Sequence, residues 1–308
     1  MCSSDLRTVK LSDGTSSFGL MSSRRSSVVP DGKVPDTRVL LAIDGDSLAH
    51  RAYHALPKSI KKNAILGFTN FLLRLWDAER PAAVLAAWDT LEETTYRHEA
   101  LPEYQSGRVF EDSIVEQLDE LPEFIASFGF ACAKGAGYEA DDFLAAAARR
   151  WKGPVLVATS DRDAFQLASE RVTILQPVKG VSELARVGPA EVVERYNVEP
   201  GQVPDFIALR GDSSDRIPGA RGVGPKTAAD ILKQYGSLAA ALKAGRFAAE
   251  ADNLRLYRQI AQMDAKAPLP RLAAQKPNWA RAAAAASELG LGALAGRLEL
   301  RAAEPGNQ

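Results

Sequence analysis

Leu40-Leu41-Ala42-Ile43-Asp44 decides the fold: an unbroken apolar run that closes on a carboxylate. A run without polar alternation reads as a strand buried on both faces, the signature of a parallel sheet with helices on either side. Two further runs end in the same way, Leu85-Ala86-Ala87-Trp88-Asp89 and Val157-Ala158-Thr159-Ser160-Asp161. Outward from these, strand-like runs are read at Arg38 to Ile43, Ala82 to Trp88, Phe128 to Ala133, Pro154 to Ala158 and Arg171 to Leu175. Between them lie apolar residues at helical spacing, such as Ile65, Phe68, Leu72 and Leu75, then Ile114, Leu118, Leu121 and Ile125. Strands alternating with helices predict an α/β core with a parallel sheet. The carboxyl ends of such strands line the crevice where ligands bind, so three aspartates are expected in one cleft.

The rest of the chain sorts around that core. Its 308 residues suggest two domains or one large one. Residues 1–36 are rich in Ser, Gly and Thr without an apolar period and are expected to be a disordered leader. Residues 37–186 form the α/β core. From 187 to 275 strand-like runs cease and turn chemistry appears at Pro200-Gly201, Pro218-Gly219 and Gly222-Val223-Gly224-Pro225, which predicts a helical subdomain. Residues 276–308 read as a helical tail with a frayed end. Cys2 and Cys132 make neither a disulfide framework nor a zinc motif, and no apolar stretch approaches the roughly 20 residues that span a bilayer. No membrane partner and a cytoplasmic location are therefore expected. The net charge of −1, from 38 basic and 39 acidic residues, excludes a protein that coats polyanions by bulk charge.

The informative charges are acids. To Asp44, Asp89 and Asp161 are added Glu139, Asp141 and Asp142 at the start of a helix, Asp163, and the loop pair Asp212 and Asp215. Any one of them alone is as well explained as a turn residue or a helix-dipole partner. Nine carboxylates sharing a cleft would repel one another and partly neutralise unless cations intervened. All-oxygen donors select magnesium or manganese over zinc, and two such ions about 4 Å apart support hydrolysis of a phosphodiester. Setting the nine aside leaves 30 acidic residues against 38 basic ones, so the neutral total conceals a basic protein around an acidic pit.

Six motifs occur in order: Asp44-Gly45-Asp46-Ser47, Tyr96-Arg97-His98-Glu99, Tyr104-Gln105-Ser106-Gly107-Arg108, Glu139-Ala140-Asp141-Asp142, Asp161-Arg162-Asp163 and Asp212-Ser213-Ser214-Asp215. Together they resemble the 5′ nuclease family, in particular the 5′ to 3′ exonuclease part of bacterial DNA polymerase I and stand-alone flap endonucleases, over about residues 38 to 270. The resemblance implies a PIN-like 5′ nuclease core, a helical arch over about 91–112 and a helix-three-turn-helix subdomain. It further implies two Mg²⁺ or Mn²⁺ ions, with Asp44, Asp89, Glu139 and Asp141 at the first and Asp142, Asp161, Asp163, Asp212 and Asp215 at or around the second. Arg97 and Arg108 would hold the scissile phosphate, for which an arginine fork is suited. Tyr104 would meet the nucleic acid. The segment around Gly222, Gly224, Lys226 and Thr227 would bind a duplex backbone, with a potassium ion. Its glycines free the backbone and its helix start adds positive potential.

One position departs from the family, since relatives usually carry lysine where this chain has Gln105. An uncharged donor there is expected to weaken transition-state stabilisation. Arg51 and Tyr53 are candidates to meet the nucleic acid, with core packing an equal reading for the tyrosine. The resemblance implies a structure-specific nuclease acting on a 5′ flap, nick or free 5′ end of DNA, or on an RNA primer in duplex, in repair or replication, and a monomer is the default expectation. Two rivals are a non-catalytic DNA-structure binder on the same scaffold, favoured only by Gln105, and a PIN-like ribonuclease.

Overall fold

A computed structural model describes residues 36–90, 93–179 and 183–304. Apart from Asp36, the expected leader lies outside the described residues, as do 305–308 of the expected frayed end. Strands β1 (Leu40–Asp44), β2 (Ala83–Ala87), β3 (Ala131–Ala133), β4 (Val155–Ala158), β5 (Val172–Lys179) and β6 (Glu183–Val187) form one sheet in the order β3-β2-β1-β4-β5-β6. The first five strands are parallel, and β6 pairs antiparallel with β5. The parallel-sheet core expected from the sequence is present, with one antiparallel strand added at its edge. The antiparallel edge strand reads Glu183-Leu184-Ala185-Arg186-Val187, too polar to resemble the buried runs.

Successive residues of β1 serve opposite faces, as a strand requires. Leu40 and Ala42 enter one core with Leu85, Val155 and Val157, while Leu41 and Ile43 enter the other with Val84, Ala86 and Leu156. The second core is covered by α1 (Gly45–Ala55), α2 (Asn63–Glu79) and α4 (Asp112–Ser127). Joining them are α11 (Trp279–Glu288) and α12 (Gly292–Ala303) of the predicted tail. Trp279 anchors that hairpin edge-on against Trp76, with ring centroids 5.9 Å apart. The first core takes α5 (Ala140–Arg150), α7 (Val203–Arg210), α8 (Pro225–Tyr235) and α10 (Ala251–Ala261), so core residues continue from the sheet into the C-terminal helices. Completing the helices are α3 (Tyr96–Ala100), α6 (Pro189–Tyr196) and α9 (Leu238–Lys243). Among the described residues of the expected arch, the five-residue α3 is the helical part before α4 begins at Asp112.

Two glycines shape the ground under the acids. Gly45 follows Asp44 directly, and a Cβ there would lie 2.2 Å from the Trp88 ring, so only glycine lets α1 start against the end of β2. Asp44 caps that helix by accepting from the Ser47 backbone N–H at 3.0 Å. Gly211 has φ +77° and its Cβ would meet the Ile217 carbonyl at 2.7 Å. That close approach folds Asp212 and Ile217 into a two-way backbone pair at 2.8 Å, which presents the Asp212–Asp215 loop.

Candidate metal centre

The sheet order reverses at β1, with β2 and β3 on one side and β4 to β6 on the other. The crevice at the carboxyl ends beside it is where a ligand site belongs. There Asp44, Asp46, Asp89, Glu139, Asp141, Asp161, Asp163 and Asp215 line a pit of about 200 Å³. Asp161, Asp163 and Asp215 also line a wider cleft of about 1030 Å³, so the pit opens into it. Basic side chains of Arg162, Arg195, Arg210, Lys226 and Lys233 border the cleft.

Most of these acids are steered by a local bond. Asp44 accepts from the Thr159 hydroxyl at 2.6 Å, and Asp89 accepts from the Ala140 N–H at 2.7 Å, which ties the end of β2 to the start of α5. The Asp89 N–H is itself held by Asp46 at 2.8 Å. Glu139 accepts from Tyr104 and Thr95 hydroxyls, both at 3.1 Å. Asp215 accepts from Arg108 at 2.7 Å and from the Gln105 amide at 3.1 Å, and Asp212 pairs with Arg210 at 2.8 Å. Asp141 differs, because its Oδ1 is buried with no hydrogen-bond partner.

Crowding shows in the proton affinities. Burial pushes Asp44 up to about 7 against the Thr159 hydrogen bond, and the charge of Asp89 adds to it. Burial likewise pushes Glu139 up to about 7, with Arg97 offsetting part of the rise. Asp215 reaches about 6 through burial and repulsion from Asp161. Asp46, Asp141 and Asp163 stand well above the ordinary aspartate range, first through burial and then through neighbouring carboxylates. Asp212 is the exception: burial raises it, but the Ser214 hydrogen bond and the Arg210 charge together bring it below its usual value.

Among the described residues, no three His, Cys, Asp or Glu side chains already converge as a closed metal cluster. The residues nonetheless fit hard cations. All donors are oxygens, their charges repel, and the Asp141 Oδ1 is a buried acceptor that needs a partner.

The structure redistributes several expected roles. Asp142 does not line the pit and is fully buried beneath it. Arg97, expected to grip phosphate, lines the pit, but its side chain is 3% exposed and paired with Asp142. Tyr53 is also 3% exposed, and its hydroxyl donates to Glu111 at 2.9 Å, so it is a packing residue. Tyr104 is buried, and its hydroxyl is turned to Glu139. Arg51 is half-buried and reaches the Val178 carbonyl at 3.3 Å. Arg108 remains partly exposed at the mouth, Gly222 and Gly224 are exposed on the loop leading into α8, and Lys226 and Thr227 are exposed in its first turn. The pit acid absent from the expected set is Asp46. Its signal was the Asp44-Gly45-Asp46 spacing, which returns a second carboxylate to the strand end after one tight step.

Comparison with known proteins agrees with this fold. Residues 39–197 match the family described as 5′-3′ exonuclease, N-terminal resolvase-like domain, and 198–281 match the 5′-3′ exonuclease C-terminal SAM fold. DNA polymerase I of Mycobacterium tuberculosis is 44% identical over 210 residues, covering 65% of this chain but 23% of the polymerase. That of Deinococcus radiodurans is 41% identical over 218 residues, 68% of this chain and 22% of the polymerase. The chain therefore spans about a quarter of the length of these relatives. Its fold is similar to a bacteriophage T5 5′-exonuclease with bound zinc, at 19% identity and TM-score 0.62 over 85% of this chain and 99% of that one. It is also similar to a T5 flap endonuclease in a pseudo-enzyme-product complex with DNA and metal ions, at 19% identity and TM-score 0.63 over 87% of this chain and 100% of that one. The first family model alone covers more than half of the residues, and the chain belongs to the 5′-3′ exonuclease family of nucleases.

Proposed function

We propose that the chain hydrolyses phosphodiesters at the 5′ side of structured DNA, at a flap, nick or free 5′ end, including an RNA primer held in duplex. The observation that carries this reading is the pit of eight carboxylates opening directly into a cleft bordered by five basic side chains. A metal-repelling or purely structural role gains nothing from so many acids at one strand edge.

Asp44, Asp89, Glu139 and Asp141 would hold one Mg²⁺ or Mn²⁺ ion, with Asp46 orienting Asp89. Asp161, Asp163, Asp212 and Asp215 would hold a second. Such ions, when bound, supply an activated water and stabilise the oxygens of an in-line displacement. The chain's own groups do the rest. Arg108 offers a charged fork at the mouth of the pit, beside the Gln105 amide, to a phosphate that displaces them from Asp215. Tyr104 and Thr95 orient Glu139 toward the pit. Gly222 and Gly224 on the open loop, with Lys226 and Thr227 in the first turn of α8, would suit a duplex phosphate backbone with a potassium ion and would read no sequence. The protein would act as a monomer in the cytoplasm, in DNA repair or primer removal.

The test is cleavage of 5′-flap DNA, blunt duplex and single-stranded RNA with and without Mg²⁺, by the full chain and by Asp161→Asn. Mg²⁺-dependent cutting of the flap that falls by about 100-fold or more in the variant is expected. Flap binding without cutting would favour the non-catalytic rival, preferential cutting of RNA the ribonuclease, and undiminished cleavage by Asp161→Asn would remove the site assignment.

A further inference from the structure

Asp142 spends both carboxylate oxygens inside the protein. Oδ1 accepts from Arg97 Nη2 and from the Asp264 backbone N–H, each at 2.7 Å. Oδ2 accepts from Arg97 Nη1 at 2.8 Å and from the Glu139 backbone N–H at 3.2 Å. Arg97 donates from Nε to the Ile260 carbonyl at 2.9 Å, and its Nη1 lies 3.3 Å from Glu139 Oε2. The pair therefore joins three pieces of chain remote in sequence: α3, the first turn of α5, and the turn 260–264 at the end of α10. Neither side chain reaches solvent to a useful extent, at 3% and 0% exposure.

We infer that Arg97 and Asp142 form a positioning lock, which couples docking of the 260–264 turn to the placement of Glu139 and Asp141 in the pit. The inference rests on reading the pit as a cation site. Three residues make most of a helical turn, so Glu139 and Asp142 are fixed together at the start of α5, while Asp141 points elsewhere, into the pit. The helix start cannot shift toward or away from the pit without drawing Asp142 off the arginine fork. A buried charge deprived of its partner is strongly unfavourable, so the lock is closed or broken rather than graded. By linkage, a cation that prefers the closed arrangement must in turn tighten the 260–264 turn. An isolated structural salt bridge carries no such reciprocity.

The experiment uses the full chain without DNA and Mn²⁺ as the probe. Mn²⁺ affinity is measured by titration calorimetry, and hydrogen exchange at the Asp264 amide is followed with and without the ion. In the wild type, Mn²⁺ is expected to bind and to slow exchange at that amide severalfold. Arg97→Lys, which keeps the charge but loses the fork, and Asp142→Asn are expected to weaken Mn²⁺ by a similar factor of about 10 to 100 and to abolish the added protection. If Asp142→Asn alone weakens Mn²⁺ and Arg97→Lys leaves it unchanged, Asp142 is a ligand and the lock is overturned. Exchange at Asp264 that ignores Mn²⁺ in the wild type overturns it without any variant. A wild-type chain that binds no Mn²⁺ overturns the cation reading of the pit, and the coupling with it.

Discussion

Gln105 shows how much a single side chain carries here. Its backbone adopts φ +51°, and its amide bridges the Tyr104 hydroxyl at 2.9 Å and Asp215 at 3.1 Å. An amide in that place orients acceptors but brings no charge to a developing oxyanion. Gln105→Lys is expected to raise the single-turnover cleavage rate by about tenfold. That is short of the ~10²–10³ a whole donor is worth, because glutamine already supplies a neutral one. An equal or lower rate on the same flap would show that Arg108 already provides the needed charge. The membership of the pit was mostly legible at this scale, because strand-end aspartates can be placed from the register of a parallel sheet. Asp142 was not, since adjacent acids at a helix start look alike in sequence while the helix turns one of them away. Arg97 and Tyr104 were legible as important but not in direction: a motif names residue types and leaves open whether they face DNA or the acids beneath.

The elements were legible where physics is local. Short β-branched or aliphatic runs gave away β1 to β5, and the punctuation of Gly222, Gly224 and Pro225 gave away the start of α8. The edge strand β6 was hidden because one exposed side relaxes its composition, and its pairing is set by β5 alone. The loop before α8 has the clearest consequence. Its glycines meet no atom within 4 Å of an added Cβ, and Lys226 is exposed at the N-terminal turn of the helix. Lys226→Ala is expected to weaken flap binding severalfold, to lower the slope of log affinity against log salt by about 1, and to leave the rate at saturating DNA unchanged. A drop in the saturated rate with an unaltered salt slope would place Lys226 at the chemistry instead of on the duplex.

For the molecule as a whole, the near-zero charge of −1 is a balance between nine motif acids and an excess of basic residues elsewhere, so protons and any cation held in the pit would compete for the same carboxylates. Asp44 and Glu139, pushed up to about 7 from ordinary values of 3.8 and 4.5, bind more protons in the folded chain than in the unfolded one between those limits. Stability therefore falls as pH rises through about 7, because folding must then confine charges that the unfolded chain leaves in water. Without divalent ions, the melting temperature is expected to be higher near pH 5 than near pH 8 at constant ionic strength. Mg²⁺ is expected to offset part of this fall, as a cation held by the deprotonated pit would. At about a hundred times its dissociation constant it adds about 2.7 kcal/mol, or roughly 4–8 °C, at pH 8 and much less at pH 5. Thermal unfolding at both pH values, with EDTA and with Mg²⁺, measures this directly. A melting temperature that is flat with pH in EDTA, or a Mg²⁺ shift of equal size at both pH values, would mean that the carboxylates are neither crowded nor the seat of the cation.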